Sequence, residues 1–242
     1  MQNRTLCLLW QNQQSRQWYH VANLTLEEND DYRFAYESQN KKRGLKDALE
    51  NGYHLHPSFP SAVKTYTSDK LFSAFSRRLP NKARPDYVEL LKANNLSVKN
   101  DEFEVLTMTG GKLISDNYEF VKPVDFDGKD FSFDFYVRGW QHYNEDKRQL
   151  KDLSEISFET EEDNGQDPDA IIVKYAGETI GYVPAFYSDF MKTVIESNSR
   201  FEVVSFDFNS QASSHRKVNI LVKGQKANIQ KTERETNLLL TV

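Results

Sequence analysis

Asp163-Asn164-Gly165-Gln166-Asp167-Pro168-Asp169-Ala170-Ile171-Ile172-Val173, followed by Gly177-Glu178-Thr179-Ile180-Gly181-Tyr182-Val183-Pro184, is the stretch whose reading decides the fold. Asn164 and Asp167 are turn residues whose side chains can cap backbone N–H groups and fix the loop. Ala170, Ile172 and their neighbours read as a strand buried on at least one face, and Thr179 to Val183 as the strand that returns beside it. Gly181 lets two backbones approach. Pro184 opens a helix, Phe186 to Asn198, whose Phe190, Met191, Val194 and Ile195 would seal a small barrel.

Working outward, Phe131 to Trp140, Leu153 to Thr160, Phe201 to Phe208 and Val218 to Lys223 also read as strands. Short strands at turn-separated intervals suggest a small barrel or sandwich. Asp125 to Asp130, rich in Asp and Gly, reads as a linker. Ahead of it, Leu6 to Trp10, Gln17 to Leu26 and Tyr32 to Tyr36 are strand-like. Lys41 to Asn51 reads as a short helix with basic residues at its start, where the dipole disfavours them. Thr67-Ser68-Asp69 signals a cap for a helix from Lys70 to Arg78, and Pro85 opens another carrying Tyr87, Val88, Leu90 and Leu91. Glu104 to Thr109 with the Gly110-Gly111 turn suggests a hairpin. The expected class is α+β: a small sheet with two or three helices over residues 1–124, a linker at 125–130, a small β-barrel with one or two helices over 131–226, and a tail at 227–242. The tail carries the sticky run Leu238-Leu239-Leu240.

Of the 242 residues 38% are hydrophobic, 28% charged and 13% aromatic, a globular balance. Net charge is −5, unevenly placed: Met1 to Phe120 carries 16 basic and 15 acidic residues, Lys129 to Lys226 carries 12 and 17. That sign argues against coating nucleic acid, whose sequence-independent binders neutralise phosphates, while leaving recognition of an end or a base in a local pocket. The single cysteine, Cys7, lies in an apolar run and rules out an intrachain disulfide or a multi-Cys metal site. No apolar stretch approaches the ~18 residues that span a bilayer and no leader pattern opens the chain, so the expected location is the cytoplasm, without a membrane partner. The sequons at Asn3, Asn23 and Asn95 then carry no glycan.

Phosphate-loop, dinucleotide, zinc-protease, hydrolase-elbow and kinase motifs are absent, so no enzyme is expected and no cofactor. His54 and His56 share a face if extended but have no third ligand nearby, and the acidic run Glu159 to Asp169 lacks the spacing of a calcium loop; no metal is expected.

Two segments together resemble the HIRAN domain. One is Val137-Arg138-Gly139-Trp140-Gln141-His142-Tyr143. The other is the stretch quoted first, which is similar to the family's strand-turn-strand, with Gly177 to Pro184 resembling its hairpin that opens a helix. The best-known HIRAN modules hold the 3′ end of single-stranded DNA by aromatic stacking and polar contacts to the terminal hydroxyl. The resemblance therefore implies a nucleic-acid pocket of Gln141, His142 and Tyr143 with Asn164, Gln166, Asp167 and Asp169. Three positions depart from the family: Gln141 replaces an arginine, Gln166 an aromatic, and Asp169 an asparagine. Together they remove a charged phosphate donor and a stacking ring and add a carboxylate, which argues against tight binding of a DNA end.

Residues 1–124 resemble the N-terminal subdomain of HipA-type serine/threonine kinases, through the opening strand, Phe34-Ala35-Tyr36, and Leu71 to Pro80. The catalytic lobe is absent. This resemblance implies an antitoxin-like regulatory subunit docking on a HipA-type kinase, with Arg77, Arg78, Lys82 and Arg84 as contact candidates and the HIRAN module as a second recognition surface. The alternative is an accessory protein that binds single-stranded DNA 3′ ends in repair or mobile-element maintenance.

Overall fold

The computed structural model describes residues 3–39, 42–113, 115–143, 150–210, 212 and 214–227. The chain divides into two compact units, Met1–Pro123 and Val124–Val242.

In the first unit β1 (Arg4–Gln11), β2 (Trp18–Leu26), β3 (Tyr32–Tyr36), β4 (Tyr66–Ser68) and β5 (Tyr118–Val121) form one sheet in the order β4-β3-β2-β1-β5. Between β3 and β4 lies α1 (Leu45–Glu50), and between β4 and β5 lie α2 (Ser73–Ser76), α3 (Tyr87–Lys92) and α4 (Glu102–Thr109). One sheet face packs aromatic on aromatic: the Phe34 ring stacks on Phe59 at 4.1 Å, and Phe75 meets Phe120 edge-on at 5.0 Å.

Four local expectations change here. The Glu104–Thr109 hairpin is a helix, α4. Its Val and Thr residues favour strand, but the Asp101 side chain accepts the Glu104 N–H while Glu104 reaches back to the Asp101 N–H, and this capping box starts a helix that Gly110 ends. The Lys70–Arg78 helix shrinks to α2, because Thr67 and Ser68 are used in β4, paired with Arg33 and Tyr32. Helix α1 starts at Leu45 rather than at Lys41, so Lys42 and Arg43 precede it. Arg78, expected at the surface, is buried: it hydrogen-bonds the Gly111 carbonyl at 2.9 Å and pairs with Asp116.

The second unit contains β6 (Asp125–Phe126), β7 (Asp130–Tyr136), α5 (Trp140–Tyr143), β8 (Ile156–Thr160), β9 (Ile171–Tyr175), β10 (Glu178–Tyr182), α6 (Ala185–Glu196), β11 (Arg200–Phe208) and β12 (Val218–Gln225). Residues 125–130 thus carry β6 and a turn, in which the Asp127 carboxylate accepts the N–H groups of Lys129 and Asp130. The strands form two antiparallel sheets, β11-β12-β7-β6 and β10-β9-β8. Among the described residues no closed barrel exists. The sheets are joined on one side by a bridge between Arg138 and Tyr182, and on the other Phe158 of β8 meets Phe201 of β11 ring to ring at 6.0 Å with no ladder. A bulge between Val203 and Ser205 breaks the β11 register. The unit is therefore a small open β domain.

Helix α6 covers the sheet face that β7 lines with phenylalanines. Phe190 stands edge-on to Phe131 at 5.2 Å and to Phe133 at 5.6 Å, and Met191 and Val194 are fully buried beside it. Each such side chain contributes about 1.5–3 kcal/mol by leaving water. Along β9 it is Ile171 and Val173 that are buried, with Ile172 turned to the half-exposed face. The tail 228–242, including Leu238 to Leu240, lies outside the described residues.

Candidate nucleic-acid interface

Strand β7 runs into Val137-Arg138-Gly139, and the backbone then coils into the single turn α5. Two hydrogen bonds of 2.8 Å lock this corner to β10: Arg138 N–H to the Tyr182 carbonyl, and Tyr182 N–H to the Arg138 carbonyl. The approach is so close that a Cβ on Gly181, whose φ is +147°, would lie 2.3 Å from the Arg138 carbonyl oxygen. Glycine is required there by space and by conformation together. The buried Trp140 anchors α5 against Phe208, ring centres 5.6 Å apart, and turns the next three side chains outward.

Those three are Gln141, His142 and Tyr143, all exposed. The Tyr143 ring, 45% exposed, stands at 61° to the Tyr182 ring with centres 5.8 Å apart, and its hydroxyl donates to the Tyr182 hydroxyl at 3.1 Å. The Tyr143 bond, burial and the charge of Glu161 push the Tyr182 phenol above the ordinary range. Glu161 in turn accepts the Asn164 side-chain N–H.

Within the Asn164 turn, Asn164 Oδ1 accepts the N–H groups of Gln166 at 2.9 Å and Asp167 at 3.0 Å, and the Asp167 carboxylate accepts the Asp169 N–H at 3.0 Å. Both side chains thus shape the loop, as their residue types indicate. Gln166 is exposed at its tip. Asp169 turns toward α6, where Lys192 Nζ lies 3.1 Å from its carboxylate and is held more firmly protonated by that bond. Gln141 contacts His142 at 3.2 Å, and among the described residues neither bonds to the turn.

The sequence-derived set is thus split: Tyr143 packs on Tyr182, Asn164 and Asp167 shape the turn, and among the described residues the side chains of Gln141, His142, Gln166 and Asp169 are not joined to either. Tyr182 and Glu161 were missed, although Tyr182 stands within the quoted hairpin motif. Arg138, whose guanidinium lies 5.8 Å from the centre of the Phe186 ring, was missed too. In the first unit, Arg77 is exposed, Lys82 and Arg84 pair with Glu102 at 3.2 Å and Asp86 at 2.7 Å, and Arg78 is internal, so these four do not form one basic patch. His56 Nδ1 accepts the Ser58 N–H at 3.1 Å, and among the described residues no three His, Cys, Asp or Glu side chains could together hold a metal. No helix among them is long and apolar enough to cross a membrane.

The sequence of residues 130–226 matches the HIRAN domain family. This stretch is a HIRAN domain. The crystal structure of the HIRAN domain of human HLTF is similar at 13% identity and a TM-score of 0.32, over 47% of this chain and 93% of that one. No curated protein matches the chain. The family match begins at residue 130, and the HipA-type resemblance of the first unit finds no support in these comparisons.

Proposed function

We propose that the HIRAN domain of this protein binds the unpaired 3′ end of single-stranded DNA, and that the protein works as a binding accessory rather than as an enzyme. The observation that carries the reading is the exposed Tyr143 ring, braced by Tyr182, within a domain of this family. An unpaired base offers a π face that a preoriented ring can stack on, at about 1–3 kcal/mol per base. The neighbouring hydroxyls and amides suit a sugar hydroxyl. The acidic balance of Lys129 to Lys226, 12 basic against 17 acidic residues, favours a short-range readout of the terminal nucleotide over tracking of a phosphate backbone. Docking on a HipA-type kinase has no comparable support, since Lys82 and Arg84 are already paired and Arg78 is internal.

The test is fluorescence anisotropy of short labelled single strands with free or phosphate-blocked 3′ ends at fixed salt. The expected result is tighter binding of the free end. Equal affinity for the two ends, or no binding of either, rejects the proposal.

A further inference from the structure

Strand β4 ends the sheet of the first unit: β3 pairs with one side of it, and among the described residues no strand pairs with the other. A groove of about 370 Å³ opens there, touching Lys64, Thr65, Tyr66 and Thr67 in succession and Phe72, Ser73 and Ala74 at the start of α2. Strand side chains alternate between faces, so a groove that touches four successive residues follows the edge of the strand rather than either face. An edge strand aims alternate N–H and C=O groups outward, unpaired. Lys64 and Tyr66 are two apart and share a side, with Lys64 Nζ 5.1 Å from the centre of the Tyr66 ring. Behind them lies the buried Phe59, its ring 5.1 Å from Tyr66 and 5.2 Å from Phe72. Lys64 is exposed, is the only charged residue among those lining the groove, and has no carboxylate partner among the described residues. The turn before it leaves Val63 96% exposed.

We propose that the free edge of β4 docks an extended acidic peptide of a partner protein, which adds to the sheet as a further strand and carries an apolar residue two positions from a carboxylate. Main-chain hydrogen bonds along the edge supply the affinity, and side-chain pairs supply the choice of partner. In either strand direction, the residue opposite Tyr66 enters the aromatic groove and the one two positions on lies opposite Lys64. Thr65 and Thr67 turn to the other side, where small hydroxyl residues suit them. Lysine on an edge discourages indiscriminate strand pairing. A carboxylate on the incoming strand turns the same charge into an attraction.

The probe is the fluorescein-labelled peptide Thr-Glu-Thr-Val-Thr-Glu-Thr, which presents the same spacing in both directions. In the full chain it is expected to bind saturably below about 1 mM, shifting the amide resonances of Thr65 to Ser68. Lys64→Glu, a change at an exposed position, should weaken it about fivefold, the upper end for an exposed ion pair. The peptide with Lys in place of Glu should bind less tightly than the probe, and the probe methylated at its backbone nitrogens should not bind. No saturable binding, equal binding of the methylated peptide, or shifts confined to other residues would overturn the proposal. A dimer of the chain alone that protects the Thr65 to Ser68 amides would also overturn it, giving the edge to a second copy.

Discussion

Replacing Gly181 with alanine should destabilise the second unit markedly. The new Cβ would sit 2.3 Å from the Arg138 carbonyl oxygen and 2.5 Å from Val137 Cγ1, in a backbone conformation of φ +147°. Backbone strain of this kind costs about 1–3 kcal/mol, and forcing an atom into filled space costs about 1–3 kcal/mol more. The total, about 2–5 kcal/mol, falls on the Arg138–Tyr182 bridge between the two sheets. Gly177→Ala is the control: its φ is +79° but nothing lies within 4 Å of the new methyl. Only the conformational part applies there, about 1 kcal/mol. The assay is urea unfolding of the full chain followed through the amide resonances of Arg138 and Tyr182. With a urea dependence of about 1–3 kcal/mol per molar, Gly181→Ala should lower the midpoint by about 1 M or more. The same variant should lose end-dependent DNA binding, because the bridge positions Tyr143 against Tyr182. Equal midpoint losses for the two alanines would refute the argument from close approach.

Three further outcomes follow from the same geometry. Tyr143→Ala should weaken single-strand binding by about 1–3 kcal/mol, roughly 5- to 150-fold in anisotropy titrations, with an unchanged melting temperature, because the ring is 45% exposed. The slope of log affinity against log salt should be shallow, about −1, since Lys192 is tied to Asp169 and the domain is acidic on balance. A slope steeper than about −3 would point to a phosphate-tracking surface elsewhere. In the first unit, Arg78→Met should cost about 2–4 kcal/mol in chemical denaturation by stranding Asp116, whereas exposed Arg77→Met should stay within about 0.5 kcal/mol.

Most strands were legible in the sequence because their residues have no competing local option. Tyr32 to Tyr36 alternates with period two, and burial alternates with it. The hairpin from Ile171 to Tyr182 and the helix after Pro184 were equally plain. Where reading failed, two local signals competed. Residues 104–109 contain β-favouring Val and Thr, but the reciprocal cap at Asp101 and Glu104 settles the segment as helix, and that pair was visible in the sequence. Thr67 and Ser68 look like a helix cap, and only the edge of β3, distant in sequence, recruits them as a strand. The candidate site was half legible. Tyr143 follows from its motif, but nothing local indicates that its hydroxyl meets Tyr182. Asp125 to Asp130 has a linker's composition, yet its aspartate serves as the acceptor that tightens a two-strand turn.

The strand order of the first sheet also bears on how the chain is made. β2, β3 and β4 each pair with the strand before them, so β1 to β4 can assemble as soon as they emerge from the ribosome. The other edge of β1 has no such neighbour: Cys7 and Leu8 must wait for Val121 and Phe120 of β5, after four helices have been synthesised. Such distant pairing is slow, and an unpaired apolar strand is a template for association in the meantime. A nascent chain stalled before β5 should therefore depend on chaperones, and the Leu6-Cys7-Leu8-Leu9 run is where they would hold it.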